Sequence, residues 1–409
     1  MMVNKISEGL PLTPSNNSNL PLRFLVLHWG TRGGGPQLQK RLVQSFVRRK
    51  DAIVFASYDA RSEVANDLQG QSTDDFVVGR SYVSGRLAIL LRLADQPLDA
   101  LRLVRFCRVN GIRFIYEVMD HPLQLLPRML ARLCGIRVLG SVHDATRHSG
   151  EESTVLTLIS AISTRMVDGT MTYSTAVASQ VAATHLNRRA PVFETVHGAF
   201  GSVDIGPRTP PDTARQFTIG FFGRIERYKG ISRLLEAAEV LQAEGRLVHI
   251  VVCGRGELSQ VQRSELTSLG GEFDNRWIEE DKIQAIIDQF DVLALPYDEA
   301  SQSGVVGYAL SAGIPIVCTP VAGLAEQVSL SGGGVVSEGM SSLDYAEALR
   351  QVMVDPSLYG RLSEAGLRAA RTIFSWDRVG DDAVAAMRSM TPPRCSAGVG
   401  RRPKGFIGE

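Results

Sequence analysis

Three stretches of this 409-residue chain combine cations, hydroxyls and glycines at spacings that suit an anionic ligand. The sharpest runs from Phe221 to Gly230. An apolar segment ends in Gly223, and Arg224 and Lys229 follow before a helix-like segment opens at Ile231. Two cations above a strand end can hold a diphosphate, arginine as a fork and lysine as a point charge. A second stretch, Leu295 to Val305, leads from another apolar run through Ser301, Gln302, Ser303 and Gly304 into a helix. There the two serine hydroxyls lie beside N-terminal N–H groups, a second cradle for negative charge. The third, Gly30 to Pro36, carries Gly33, Gly34 and Gly35. Its backbone could approach a phosphate, but its spacing departs from G-x-G-x-x-G and a plain tight turn explains it as well. Asp59, near the end of the next apolar run, could mimic the ribose-binding acid of a dehydrogenase.

The elements that must position these stretches alternate along the chain. Strand-length apolar runs at Arg23–His28, Ala52–Ala56, Arg113–Glu117, Arg137–Val142 and Gly169–Tyr173 are separated by helical periodicity at Gln37–Arg48, Leu98–Asn110, Leu123–Cys134, Ser153–Met166 and Ala176–Ala183. The second half repeats the scheme. Strands are expected at Phe217–Phe222, Val248–Cys253, Val292–Pro296 and Ile316–Cys318, with helices near Ile231–Ala243, Glu257–Ser268, Lys282–Phe290 and Gly304–Ala312. Such alternation predicts an α/β chain with two Rossmann-like, doubly wound parallel-sheet domains facing across a cleft. The boundaries read as a flexible segment 1–22, an N-terminal domain 23–205, a Pro/Gly linker 206–216, a C-terminal domain 217–370, a helix 371–390 and a disordered tail 391–409.

Composition narrows the function classes. Hydrophobic residues are 44% and charged residues 21%, which excludes disordered and fibrous chains. Five scattered cysteines without a close pair argue for reduced thiols in a cytoplasmic setting. The N-terminus lacks a signal-peptide order, and no apolar run is long enough to span a membrane. The net charge of +1 hides an asymmetry. Residues 1–200 hold 23 Lys+Arg against 16 Asp+Glu, and the remainder is acidic. Arginines spaced through Leu87–Arg108 and Leu123–Arg137 suggest peripheral contact with an anionic membrane, as basic amphipathic helices make. Nucleic acid is a poorer partner, because no aromatics are interleaved with the basic residues. No Asp-x-Asp or His/Cys cluster with ligand spacing is present, so no metal is expected.

In this order the motifs resemble the family 4 retaining glycosyltransferases of the GT-B fold. Gly223 to Gly230 looks like that family's G-R-x-x-x-x-K-G, and Pro296 to Glu326 like its second C-domain segment. Ser141-Val142-His143-Asp144 resembles its His-bearing turn, and His197-Gly198 the glycine that closes its N-domain. The resemblance spans roughly 23–390. It implies transfer of a sugar from a UDP- or GDP-linked donor to a glycan or lipid-linked acceptor, in bacterial polysaccharide or lipopolysaccharide assembly. No cofactor is implied beyond the nucleotide-sugar co-substrate. Arg224 and Lys229 would neutralise the leaving diphosphate, and His143 would touch the transferred sugar. Gly33, Gly34, Gly35, Gly223, Ser301, Ser303, Gly304 and Val305 would border the phosphates, with Glu257 and Ile278 near the nucleoside. The family's Glu-x7-Glu departs here: Tyr308 stands at the second, ribose-binding position, and Glu299 is one residue early for the first. A phenol can still bond a ribose hydroxyl. Two alternatives remain: a non-catalytic sugar-nucleotide-binding subunit, and a NAD-type oxidoreductase.

Overall fold

The computed structural model describes residues 20–79, 86–143, 162, 165–183, 190–201, 204–212 and 215–390, with only the backbone of 86–94. The expected helix Ser153–Met166, Asp144, His148 and the tail from 391 lie outside the described residues.

Seven parallel strands form the N-terminal sheet: β1 Leu22–Leu27, β2 Ala52–Asp59, β3 Asp75–Val78, β4 Phe114–Glu117, β5 Arg137–Val142, β6 Gly169–Thr172 and β7 Val192–Glu194. Their spatial order is β3-β2-β1-β4-β5-β6-β7. Six more form the C-terminal sheet: β8 Phe217–Phe222, β9 Val248–Cys253, β10 Glu272–Asp274, β11 Val292–Leu295, β12 Ile316–Cys318 and β13 Gly334–Val336. They are ordered β10-β9-β8-β11-β12-β13. The central strands are buried on both faces by flanking helices, hence their continuous apolar sequences. The edge strands β3, β7, β10 and β13 are three or four residues long, and all but β7 are largely half-buried, so they leave no such run in the sequence.

Strand order reverses between β1 and β4 in one sheet and between β8 and β11 in the other. Loops leaving the carboxyl ends at such a switch point diverge and open a crevice. The Gly30–Pro36 loop follows β1, the Gly223–Gly230 loop follows β8, and the Ser301–Gly304 loop follows β11.

Local signals account for the helix starts. In α1 (Gly34–Val47) the glycine run is itself the first turn, where Pro36 is tolerated. The sequence places the next C-domain helix at Glu257, but it begins at Gln260, because Ser259 and Gln262 form a reciprocal capping box. The last helix, Trp376–Ser389, returns to the N-terminal domain. Ser45 Oγ donates to the Trp376 carbonyl at 2.9 Å, Thr195 Oγ1 to Asp382 at 2.9 Å, and Arg388 to Asp51 at 2.8 Å. The chain thus crosses between its domains twice.

The Leu123–Arg137 segment differs from the expected basic surface. Arg128 is only 2% exposed, bonded to Glu117 and, at 2.9 Å, to Asp120. Arg132 forms a two-pronged pair with Asp168. Burial pushes the Glu117 carboxyl up, and the Arg128 guanidinium opposes that shift. Removing one partner of a buried pair strands the other charge, at a cost of about 3–5 kcal/mol. Arg128→Ala should therefore lower the urea-unfolding free energy by that order, while Arg128→Met combined with Glu117→Gln should cost far less. Equal losses in the two proteins would show that the ion pair is not the cause.

Candidate active site

The loops at the two switch points face each other across a cleft of about 1070 Å³. On the C-terminal side, Gly223, Arg224, Lys229, Ile278, Ser303, Gly304, Val305 and Tyr308 line it; on the N-terminal side, Gly33, Gly34 and His143 do.

Lys229 is held by aromatic rings. Its Nζ lies 3.7 Å from the centre of the Tyr297 ring and 5.0 Å from that of Tyr228. Such a contact holds the ammonium over the ring faces at the cleft. Gly230 makes the placement possible. Its φ is +66°, and a Cβ there would stand 1.8 Å from the Pro296 carbonyl oxygen. Arg224 is exposed at the cleft. Helix Gly304–Ser311 begins without a side-chain cap. Its first N–H groups point the positive end of the helix dipole at the same space. The Ser303 N–H is engaged, donating to Gln327 Oε1 at 3.0 Å, and the Gln327 amide returns a bond to the Ser303 carbonyl.

His143 is defined on both ring nitrogens. Its Nε2 lies 2.9 Å from the Val118 carbonyl oxygen, which can only accept, so the proton is on Nε2. Nδ1 then accepts from the Gln302 amide at 3.0 Å, across the interdomain cleft. The ring stacks on Tyr173 at 4.4 Å between centres. Two neighbouring residues close the seam. Ser174 donates to the Ser301 carbonyl at 3.1 Å, and the Thr175 N–H donates to both Glu326 carboxylate oxygens at 3.0 and 3.1 Å.

Several sequence assignments are revised. Glu257 faces a neighbouring depression with Arg233 and Ser259, not the cleft. The bridge between Ile225 and Gly256, with Ile225 N–H donating to the Arg255 carbonyl at 2.9 Å, turns residue 257 outward. Glu299 and Ser301 do not line the cleft, and Ser301 instead uses its backbone at the seam. Gly35 packs on His28, whose ring a Cβ would meet at 2.2 Å. The Gly33 N–H donates to Glu63 at 3.2 Å, which puts a carboxylate where an anion cradle was expected. Tyr308 is in the cleft, but its hydroxyl bonds Glu280.

Residues 216–355 match the family described as Glycosyl transferases group 1. Over those residues the chain is similar to that family, and the chain as a whole has the GT-B fold. A curated relative, the D-inositol 3-phosphate glycosyltransferase of Geodermatophilus obscurus, is 32% identical over 206 residues, 45% of each chain. The one from Corynebacterium urealyticum is 30% identical over 42% of this chain and 43% of its own. The chain thus spans less than half the length of these curated relatives. The Anabaena HepE structure with UDP aligns over 90% of this GT-B chain and 100% of its own, at a TM-score of 0.66 and 15% identity. The lipopolysaccharide glycosyltransferase WaaG aligns over 91% and 100%, at 0.58 and 16%.

Sequence reasoning missed Gln302 as a cross-domain contact, Tyr297 as the seat of Lys229, and Glu280. Gln302 lay inside a recognised motif, whereas Glu280 had no local signal.

Burial holds two histidines neutral in this GT-B chain. His28 and His197 are pushed down to about 3, chiefly by burial and then by neighbouring histidines. An unfolded chain protonates its histidines near 6.5. Stability is therefore complete above pH 6.5 and falls on acidification between 6.5 and 3, by about 1.4 kcal/mol per pH unit for each residue. Urea unfolding between pH 7.5 and 5 should show this slope, and His197→Phe should reduce it. An unchanged slope in that variant would contradict the assignment.

Proposed function

We propose that this chain is a retaining glycosyltransferase that moves a sugar from a UDP- or GDP-linked donor to a glycan or lipid-linked acceptor, in bacterial polysaccharide or lipopolysaccharide assembly. The observation that carries the reading is the convergence of Arg224, the ring-seated Lys229 and the uncapped start of the Gly304–Ser311 helix on one face of the interdomain cleft. As the bond from the anomeric carbon to the diphosphate oxygen breaks, negative charge grows on that oxygen. Fixed cations and N–H dipoles stabilise it without reorganising. The same oxygen can take the proton of the attacking acceptor hydroxyl, so retention needs no protein nucleophile. His143, across the cleft from the cations, and Gln302, bonded to it, border the space left for the sugar. UDP is the first donor base to try, since HepE has been crystallised with UDP and with UDP-glucose.

The charge supplied by Arg224 and Lys229 stands in for a metal. Among the described residues no group of three or more His, Cys, Asp or Glu could hold one. Purified protein should transfer or hydrolyse sugar from UDP- or GDP-sugars, assayed with glycan, lipid-linked and inositol 3-phosphate acceptors, and should continue in EDTA. Arg224→Ala or Lys229→Ala should slow turnover by about 10²–10³, the size of effect seen on removing one charge-stabilising donor. Nucleotide binding without turnover on any donor would favour a non-catalytic binding subunit.

Peripheral membrane contact rests on a narrower surface than the sequence suggested. Arg128 and Arg132 are engaged, but the outer face of helix Arg86–Val109 exposes Leu98, Leu101 and Val109 beside Arg102, Arg105 and Arg108. No helix among the described residues is long and apolar enough to cross a membrane. Each basic residue at an anionic leaflet contributes roughly 1 kcal/mol, screened by salt. Binding to anionic liposomes should fall between low and high salt, and Arg102→Glu with Arg105→Glu should weaken it without altering donor hydrolysis. Indifference to lipid charge would remove the contact.

A further inference from the structure

Tyr308 and Glu280 form a unit whose purpose the charge-stabilising cations do not explain. The Tyr308 ring is 7% exposed, stacked on Phe200 with centres 5.0 Å apart and planes 16° apart. Phe200 is braced in turn by Trp376, at 5.3 Å. The phenol hydroxyl donates to the Glu280 carboxylate, and both side chains line the cleft. Burial pushes the phenol pKa well up, so the hydroxyl remains a donor. That bond uses the one proton Tyr308 has to give. Glu280, at the start of its helix, has no second hydrogen-bond donor among the described residues, which leaves acceptor capacity directed at the ligand space.

A carboxylate with spare lone pairs repels phosphate and calls for a ligand bearing O–H or N–H donors. Tyr308 stands four residues, one helical turn, from Gly304, on the same face of the helix. Gly304 and Val305 start that helix, where the donor reading above puts the phosphates. What a nucleotide offers one helical turn from its α-phosphate, along a short covalent path, is the ribose with its pair of adjacent hydroxyls. We infer that Glu280 accepts the ribose hydroxyls of the nucleotide donor, and that Tyr308 is the positioning residue that aims its carboxylate. This rests on the donor reading above and assigns the hydroxyl-accepting role to Glu280 in place of the Tyr308 phenol. Arg41 and Lys40 act on the same carboxylate from the facing helix, and Lys40 is already paired with Asp67 at 2.7 Å.

The test is binding, not turnover. Calorimetric titration of the full chain with UDP, GDP and 2′,3′-dideoxy-UDP isolates the two hydroxyls. Glu280→Gln keeps the shape of the side chain and removes its charge. It should weaken UDP by about ten- to hundredfold, the size of a lost charged hydrogen bond, while leaving dideoxy-UDP nearly unchanged. Tyr308→Phe keeps the ring on Phe200. It should weaken UDP in the parent chain and add nothing in the Glu280→Gln background, which a merely structural role would not produce. Unchanged UDP affinity in Glu280→Gln overturns the inference. So does equal weakening of UDP and dideoxy-UDP, which would make Glu280 a partner of Arg41 instead. Failure of the parent chain to bind either UDP or GDP overturns the donor reading itself, and the inference with it.

Discussion

The site depends on how closely the helix Gly304–Ser311 approaches the N-terminal domain. A Cβ on Gly307 would stand 2.9 Å from Ala199 Cα and 3.0 Å from the Phe200 nitrogen, so only glycine allows the contact. That approach puts Tyr308 on Phe200, brings Gln302 to His143, and aims the uncapped helix start across the cleft. Widening it by one methyl group would act on all three at once, because each spans the same seam.

Charge around the cleft follows from what the seam encloses. Lys229 is seated on the aromatic faces of Tyr297 and Tyr228 at the cleft, whereas Arg128 is buried against two carboxylates and is structural. Cationic side chains thus serve different ends, depending on whether a loop after a strand or a packed helix carries them. Two acidic groups have places of their own: Glu257 lines the neighbouring depression, and Glu280 is bonded by Tyr308.

The final helix completes the arrangement. Trp376 donates to the Ala199 carbonyl at 2.6 Å, and its ring supports Phe200 and packs over Gly198, where a Cβ would meet it at 2.5 Å. The segment that carries His197 is thereby clamped between a helix of the C-terminal domain and the returning end of the chain. Domain closure and placement of the ligand-facing residues are one packing problem.

By itself the sequence determined the two doubly wound sheets, the central strands and the Arg224–Lys229 loop. Parallel strands buried on both faces must be continuous apolar runs, and a cation pair between a strand end and a helix is a local pattern. The edge strands were not legible, because they have one neighbour and need no such run. Tertiary structure alone decided the rest. Glu257 and Gly35 had fitting residue types, but loop pairing at Ile225 and the ring of His28 gave them other surroundings. Gln302, Glu280 and Tyr297 meet partners that are distant in sequence: Gln302 and His143 are 159 residues apart, Glu280 and Tyr308 28. Spacing along a chain reports which side chains share one element, and contacts between loops of different strands depend on how two sheets are docked.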